Sequence, residues 1–296
     1  MQYRIWPLKY GLMRNFMEML RAKWAEGKFV CVGLDSELEK IPKGVTETSE
    51  TPVITFNRNI IQATRLVACA YKPNIAFYAD RGEEGLKDLI ATISIIKEQA
   101  PDVPVILDCK RADIGNTNRG YVKEAFDIIG ADAVTVNPYF GEEALQPFLE
   151  CGDKGVIVLC RTSNKGAAEF QNLSVMVEGV FTPLYSRVAY QVCKHWNKLG
   201  NCALVVGATA PDELACVRSI VGNGFPILIP GIGKQGGDLE KTVNAGKDNN
   251  GQGMIINSSS GIIFASSGND FAEAARLETK KLHDGIIQIL KGVVTV

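Results

Sequence analysis

The stretch PVILDCKRADIGNT, residues 104–117, decides how the chain is read. It opens on a short apolar run, 104–107, and passes at once into Asp108, Lys110, Arg111 and Asp113. An apolar run of this length without alternation fits a strand covered on both faces. Charge placed directly at such a strand's end is not explained by packing, because buried charge is costly unless paired. Asp108 and Lys110 stand two apart, which in an extended strand puts both side chains on one face. Taken alone, the pair reads as an ion pair at a strand end with a solvated charge run behind it.

The same grammar recurs on either side. Further strand candidates lie at 29–34, 67–71, 132–136, 155–160, 203–207, 226–229 and 253–256, making eight with 104–107. Segments with helical spacing separate them, among them 85–99, 117–129, 142–150 and 183–199. A helix at 14–26 precedes the first strand, and 46–64 carries a loop and most of the first crossover helix. Strands alternating with helices imply right-handed βαβ crossovers and a parallel sheet. Eight such units in 296 residues fit a closed (β/α)8 TIM barrel, an α/β fold whose closure removes edge strands. No low-complexity block or linker marks a boundary. The expectation is one barrel domain over residues 1–296, with residues 1–28 as an N-terminal helical extension.

Barrels of this kind place their chemistry where strands end. Asp35 follows the first strand candidate, Lys72 and Asn74 the second, and Asp108 with Lys110 the third. Thr162 and Ser163 follow the fifth, residues 230–235 the seventh, and 257–261 the eighth. The alignment of Asp35 and Lys72 with the third strand's charges turns an ordinary ion pair into a candidate site. The turn at Gly231, Ile232 and Gly233, with the Ser-rich opening of an apolar helical stretch at 262–265, suits a phosphate held by backbone N–H groups.

Composition narrows the function. Lys plus Arg number 32 against 33 Asp plus Glu, a net charge of −1, which argues against a basic face for nucleic acid. No apolar run approaches the ~18–20 residues of a membrane helix, and the N-terminus lacks a signal-peptide pattern. The eight cysteines stand singly, and Cys31, Cys69, Cys160 and Cys202 fall inside apolar runs. That pattern is expected of buried thiols in a reducing, cytoplasmic compartment. His195 and His283 lie in helical stretches away from strand ends, so neither a His-based triad nor a metal site is expected. Trp6, Trp24 and Trp196 read as packing residues, and 239–252 as a surface helix and loop.

Asp108, Lys110, Asp113, Ile114 and Thr117 together spell DxKxxDIxxT, and here the sequence resembles the orotidine 5'-phosphate decarboxylase family. The resemblance extends through Gly33-Leu34-Asp35, Lys72-Pro73-Asn74, Arg161-Thr162-Ser163-Asn164 and Pro230-Gly231-Ile232-Gly233. The KPNIAFY and RTSN segments are similar to the longer bacterial and protozoan branch. The resemblance implies a decarboxylase that makes UMP and CO2 in pyrimidine biosynthesis without metal or cofactor. In it, Lys110 protonates C6 of the pyrimidine and Asp108 stands beside the departing CO2. It implies a charged tetrad of Lys72, Asp108, Lys110 and Asp113, the last contributed with Thr117 by the partner subunit of a homodimer. Asp113 reads equally as an N-cap for the helix that follows it, and sequence does not separate action in its own site from action across an interface.

The resemblance further implies that Asp35 and Lys72 hold the ribose hydroxyls with Asn74 nearby. Thr162 and Ser163 lie against the pyrimidine amide edge, though RTSN on its own also reads as a polar turn. Pro230, Gly233, Gln235, Ser260 and Gly261 attend the phosphate; Ser260 stands where the family implies an arginine, so Lys234, Gln235 or backbone groups must compensate or affinity falls. The stretch 165–172, with Gly166, reads as part of a lid. Two rivals stay open: a Mg2+-dependent sugar-phosphate decarboxylase or aldolase on the same barrel, and a non-catalytic nucleotide sensor.

Overall fold

The computed structural model describes residues 14–233 and 236–292. Trp6, the first part of the N-terminal extension, Lys234 and Gln235 lie outside the described residues. Ten strands follow in chain order: β1 (Val30–Gly33), β2 (Ala68–Lys72), β3 (Ile106–Arg111), β4 (Ala133–Val136), β5 (Gly155–Arg161), β6 (Ser174–Val177), β7 (Val180–Pro183), β8 (Cys202–Val206), β9 (Ile227–Pro230) and β10 (Met254–Ser258). All but β6 and β7 form one parallel sheet in the order β2-β1-β10-β9-β8-β5-β4-β3. The ring closes where β2 meets β3. There Tyr71 bridges Val105 and Asn74 bridges Asp108, with N–H groups of Tyr71 and Asp108 donating to Pro104 O (3.0 Å) and Pro73 O (2.9 Å). The fold is the expected TIM barrel, and each of the eight strand candidates is a barrel strand.

The strands are Val-, Ile- and Leu-rich because both faces are covered, and β1, β2, β4 and β8 are buried along their whole length. Each such side chain contributes roughly 1.5–3 kcal/mol on leaving water. The crossover helices include Pro52–Thr64, Gly82–Gln99 and Pro211–Val221; the first and third carry a proline in their opening turn, where its missing N–H is no loss. Helix Phe16–Ala25 caps the barrel's N-terminal end, burying Phe16, Leu20 and Trp24, whose indole N–H donates to Met254 O (2.8 Å). Gly155 is required there: a Cβ would stand 2.3 Å from the Phe16 ring. Lys23 is buried beside Glu26 and Asp102. These contacts seal one end of the barrel and leave the C-terminal end to carry the site.

Three details go beyond the sequence reading. The stretches 117–129 and 183–199 are not single α-helices. The first runs Gly115–Val122 and then widens into a π-helical turn, Lys123–Ile128. The second runs Leu184–Gln191, then Val192–Trp196 in the same way, the proline ahead of it serving as N-cap. The third is a missed element: β6 and β7 pair antiparallel as a hairpin. Its two-residue turn is Glu178-Gly179, both at positive φ (51° and 82°), the backbone that suits a tight hairpin.

Candidate active site

The third strand does not end at Leu107, as its apolar run suggested. It continues to Arg111 through an irregularity: β3 advances from Leu107 to Arg111 while β4 advances only from Val134 to Val136. The surplus falls on Asp108, Cys109 and Lys110, and Lys110 adopts φ +47°, a left-handed conformation rare outside glycine. Asp108 and Lys110 do converge, Lys110 Nζ lying 2.7 Å from Asp108 Oδ1. The cause is this bulge and not the plain alternation of a regular strand. Arg111 pairs instead with Glu124 (2.9 Å) and lies over the Tyr121 ring.

Asp108 sits between two lysines. Its Oδ2 accepts from Lys72 Nζ at 3.1 Å and its Oδ1 from Lys110 Nζ. Thr135, on β4, donates to the same Oδ1 at 2.8 Å. Burial alone would raise the Asp108 pKa, but the charges of Lys72 and Lys110 overcome it and hold the carboxyl well below the usual range. Lys72 is 3% exposed. Burial pulls its pKa down, and the carboxylates of Asp108 and Asp35 more than reverse that, leaving the ammonium form strongly favoured. Asp35 Oδ1 lies 3.8 Å from Lys72 Nζ, is buried, and accepts no hydrogen bond. Lys110 is 48% exposed at its side chain, so one cation is buried and the other opens to the cavity.

These groups line a cavity of about 730 Å³ at the C-terminal end of the barrel. Leu159, Val205 and Leu228, from β5, β8 and β9, add apolar surface to its lining. Asn74, Thr162, Ser163, Pro230, Ser260 and Gly261 also line it. Close backbone approaches shape it: a Cβ on Gly207 would stand 2.7 Å from Ser163 Cα, and one on Gly33 would stand 2.5 Å from Ser259 Cβ. Thr162 is held by Gln171, whose Oε1 accepts from the Thr162 N–H (2.8 Å) and whose Nε2 donates to Thr162 Oγ1 (3.0 Å). The 165–172 segment therefore forms two short helical turns, Lys165–Ala167 and Ala168–Gln171, tied to the loop after β5.

Other expected residues stay apart. Gly233 keeps the positive φ (90°) its turn needs but is not on the cavity wall. Gln235 lies outside the described residues. Asp113 and Thr117 do not line the cavity. Nor is Asp113 an N-cap: the helix starts at Gly115 with Ile114 as its cap, and Asp113 Oδ1 accepts from the Ile114 N–H (2.7 Å). Buried Asn118 pins this loop by accepting from the Asp113 N–H and donating to Asp113 O and Ala144 O. Ile114, next to it in the chain, is exposed, as are Tyr139 and Phe140 in the loop after β4, Tyr139 at 90%.

Sequence reading missed three residues. Thr135 sits in an apolar strand and gave no signal. Gln171 fell inside a stretch read as lid. Lys40 lines the cavity that Ser260 lines, pairs with Glu37 (2.6 Å) and lies over the Phe264 ring. Its position, five residues past Asp35 in a strand-end loop, was the available cue. Among the described residues, no three His, Cys, Asp or Glu side chains are grouped as a metal would require, and no helix is long and apolar enough to cross a membrane. All eight cysteines are free, with Cys31, Cys69, Cys160 and Cys202 buried as expected.

Comparison with known proteins gives a concordant result. Residues 28–276 match the family model described as "Orotidine 5'-phosphate decarboxylase / HUMPS family". An orotidine 5'-phosphate decarboxylase from Janthinobacterium sp. (strain Marseille) is 50% identical over 274 residues, which cover 92% of this chain and 98% of that protein. The solved structure of Leishmania donovani OMP decarboxylase superposes with TM-score 0.78 at 35% identity, covering 94% of this chain and 99% of that one. Leishmania donovani UMP synthase superposes with TM-score 0.81 at 37% identity; the match covers 93% of this chain and 56% of that longer one.

Proposed function

The chain belongs to the orotidine 5'-phosphate decarboxylase family, and from that footing we propose that it is a carboxy-lyase converting orotidine 5'-phosphate to UMP and CO2 without metal or cofactor. The observation that carries the reading is the chain of alternating charge Asp35, Lys72, Asp108, Lys110 at the cavity, with its one exposed ammonium on Lys110. Departure of CO2 from C6 leaves an electron pair in the plane of the pyrimidine ring, where no carbonyl conjugates with it. An ammonium held at that carbon stabilises the developing charge and then delivers its proton, so that C6–H forms as C6–CO2 breaks. Asp108, kept anionic by both lysines, sets a negative charge beside the substrate carboxylate; at ~4 Å and an effective dielectric of ~20 the repulsion is about 4 kcal/mol, relieved when CO2 leaves neutral. Binding of the rest of the nucleotide offsets that cost.

The remaining residues hold the nucleotide. Asp35, with a buried carboxylate oxygen that accepts no hydrogen bond, and Lys72 and Asn74 take the ribose hydroxyls. Thr162 and Ser163 face the pyrimidine amide edge. Pro230, Ser260 and Gly261 receive the phosphate at the cavity wall, and Lys40 supplies a cation there where Ser260 cannot; Gly233, by shaping the turn after β9, and Gln235, by its side-chain amide, complete the grip. The fourth charge of the tetrad, Asp113, comes with Thr117 from the partner of a homodimer. Its absence from this chain's own cavity and the exposed Ile114 next to it support that arrangement. Residues 1–296 act as one barrel domain with a helical extension, in the cytoplasm, where eight free thiols are at home.

Incubation with orotidine 5'-phosphate in D2O tests the reaction. UMP carrying deuterium at C6, formed equally with and without EDTA, is the expected product. Turnover that requires added Mg2+ would favour a metal-assisted relative on the same barrel. Binding of UMP with no CO2 released would favour a nucleotide sensor.

A further inference from the structure

We propose that Thr135 is a positioning residue for this reaction, its hydroxyl clamping the β3 bulge so that Lys110 meets the reacting carbon and Asp108 the carboxylate leaving it. The inference rests on the decarboxylase reading for its kinetic consequence, but its structural content stands apart from it.

The bulge leaves a problem that Thr135 solves. Where β3 outruns β4, the N–H groups of Cys109 and Lys110 lose the regular ladder opposite them. Both donate to the Thr135 hydroxyl oxygen instead, at 3.0 and 2.9 Å. An amide N–H can only donate, so these two bonds use the oxygen's acceptor capacity and free its hydrogen for the carboxylate of Asp108. One side chain, 1% exposed, thus fixes the backbone of two residues and the rotation of a third. It shares Oδ1 with Lys110 and leaves Oδ2 to Lys72. It also holds Lys110 in a left-handed conformation that a lysine does not adopt freely.

Thr135 lines the cavity wall, but its hydroxyl is committed to three partners within the fold, and packing alone does not explain them. Packing calls for the shape of the side chain, which valine has equally. The geometry calls for an oxygen with one proton and two lone pairs, which only serine otherwise supplies at the same place. Loss of that oxygen frees Lys110 to leave the reacting position while the nucleotide's ribose and phosphate ends stay held by other loops. The effect therefore belongs in kcat and not in KM.

The test compares wild type, Thr135→Val, Thr135→Cys and Thr135→Ser, each checked for folding by circular dichroism. Turnover of orotidine 5'-phosphate is measured alongside amide hydrogen exchange at Cys109 and Lys110. Thr135→Val is expected to lose at least tenfold in kcat with KM changed less than threefold, and to exchange both amides at least tenfold faster. Thr135→Ser is expected to restore both to within about threefold, and Thr135→Cys, a weaker acceptor, to fall between. A valine variant with wild-type kcat, or a serine variant as slow as valine, overturns the proposal. If valine does not fold, a cysteine variant with wild-type kcat and exchange does the same. Should wild type release no CO2, the decarboxylase reading fails. The exchange comparison then still decides the clamp: equal protection in all variants overturns it.

Discussion

Lys72→Met removes the buried cation at the centre of the charge chain and nearly preserves its volume. Lys72 Nζ stands 3.1 Å from Asp108 and 3.8 Å from Asp35. At an effective dielectric of ~20 these separations correspond to about 5 and about 4 kcal/mol of gross attraction. Desolvating an ammonium and its partners takes back several kcal/mol per ion, while removal of one partner from a buried pair typically costs 3–5 kcal/mol. The lower end applies, because Asp108 keeps Lys110 and Thr135 and Asp35 is only partly buried. A loss of about 3 kcal/mol lowers Tm by about 5 °C in a chain of 296 residues, at ~2.1 cal/mol/K of unfolding entropy per residue. The pH dependence carries a sign. The folded-state pKa of Asp108 is depressed, so its stabilising contribution is complete above the ordinary carboxylate value of about 3.9 and is lost as pH falls below it. Lys72 has a raised pKa, so its contribution is complete below about 10.4 and is lost only above that. Calorimetric melts at pH 7 and near pH 3 should therefore show a deficit that narrows on acidification, since the unfolded chain then protonates Asp108 while the wild-type fold still holds it ionised between its lysines. A deficit independent of pH, or no deficit at pH 7, would refute the electrostatic account.

Other perturbations address separate parts of the site. Asp113→Ala and Lys110→Ala proteins, each inactive, should recover partial turnover on mixing if Asp113 acts across a dimer; no recovery after demonstrated subunit exchange counts against a shared site. Gly207→Ala places a methyl 2.7 Å from the Ser163 backbone, and overpacking of this kind costs roughly 1–3 kcal/mol; lowered Tm with raised KM is expected, and unchanged kinetics would show that the loop yields freely. Ser260→Arg should lower KM for orotidine 5'-phosphate at least tenfold, since a guanidinium adds a bidentate grip that serine lacks; Lys40→Ala should raise it. Equal KM values in all three proteins would place the phosphate elsewhere.

Much of this architecture was legible because closed barrels write themselves in a simple code. Strands such as 67–71 and 203–207 are buried on both faces and need no alternation, so an unbroken apolar run between helical segments identifies them. Asp35, Lys72, Asp108 and Lys110 stood out because charge at the end of such a run has no packing explanation. What escaped depended on local backbone geometry. The β3 bulge occurs at residues whose side-chain types do not announce it, and the positive φ of Lys110 is imposed by Thr135 from the next strand. Thr135 itself looks like one more β-branched strand residue. The β6–β7 hairpin had a cue in SVMV-EG-VFTP, two β-prone runs with a two-residue Glu-Gly turn, but it inserts between a strand and its helix, where the barrel pattern expects neither. The π-helical ends of two crossover helices have no periodicity of their own to announce them.

The most direct test of the central claim is the loss of orotidine 5'-phosphate, followed by ultraviolet absorbance with EDTA present, on wild type and on Lys110→Ala. EDTA-resistant turnover in wild type, with less than a few per cent retained in a folded, nucleotide-binding Lys110→Ala protein, is the predicted result. Substantial turnover by Lys110→Ala would contradict the assignment of Lys110 as proton donor, and loss of wild-type turnover in EDTA would contradict the metal-free reaction.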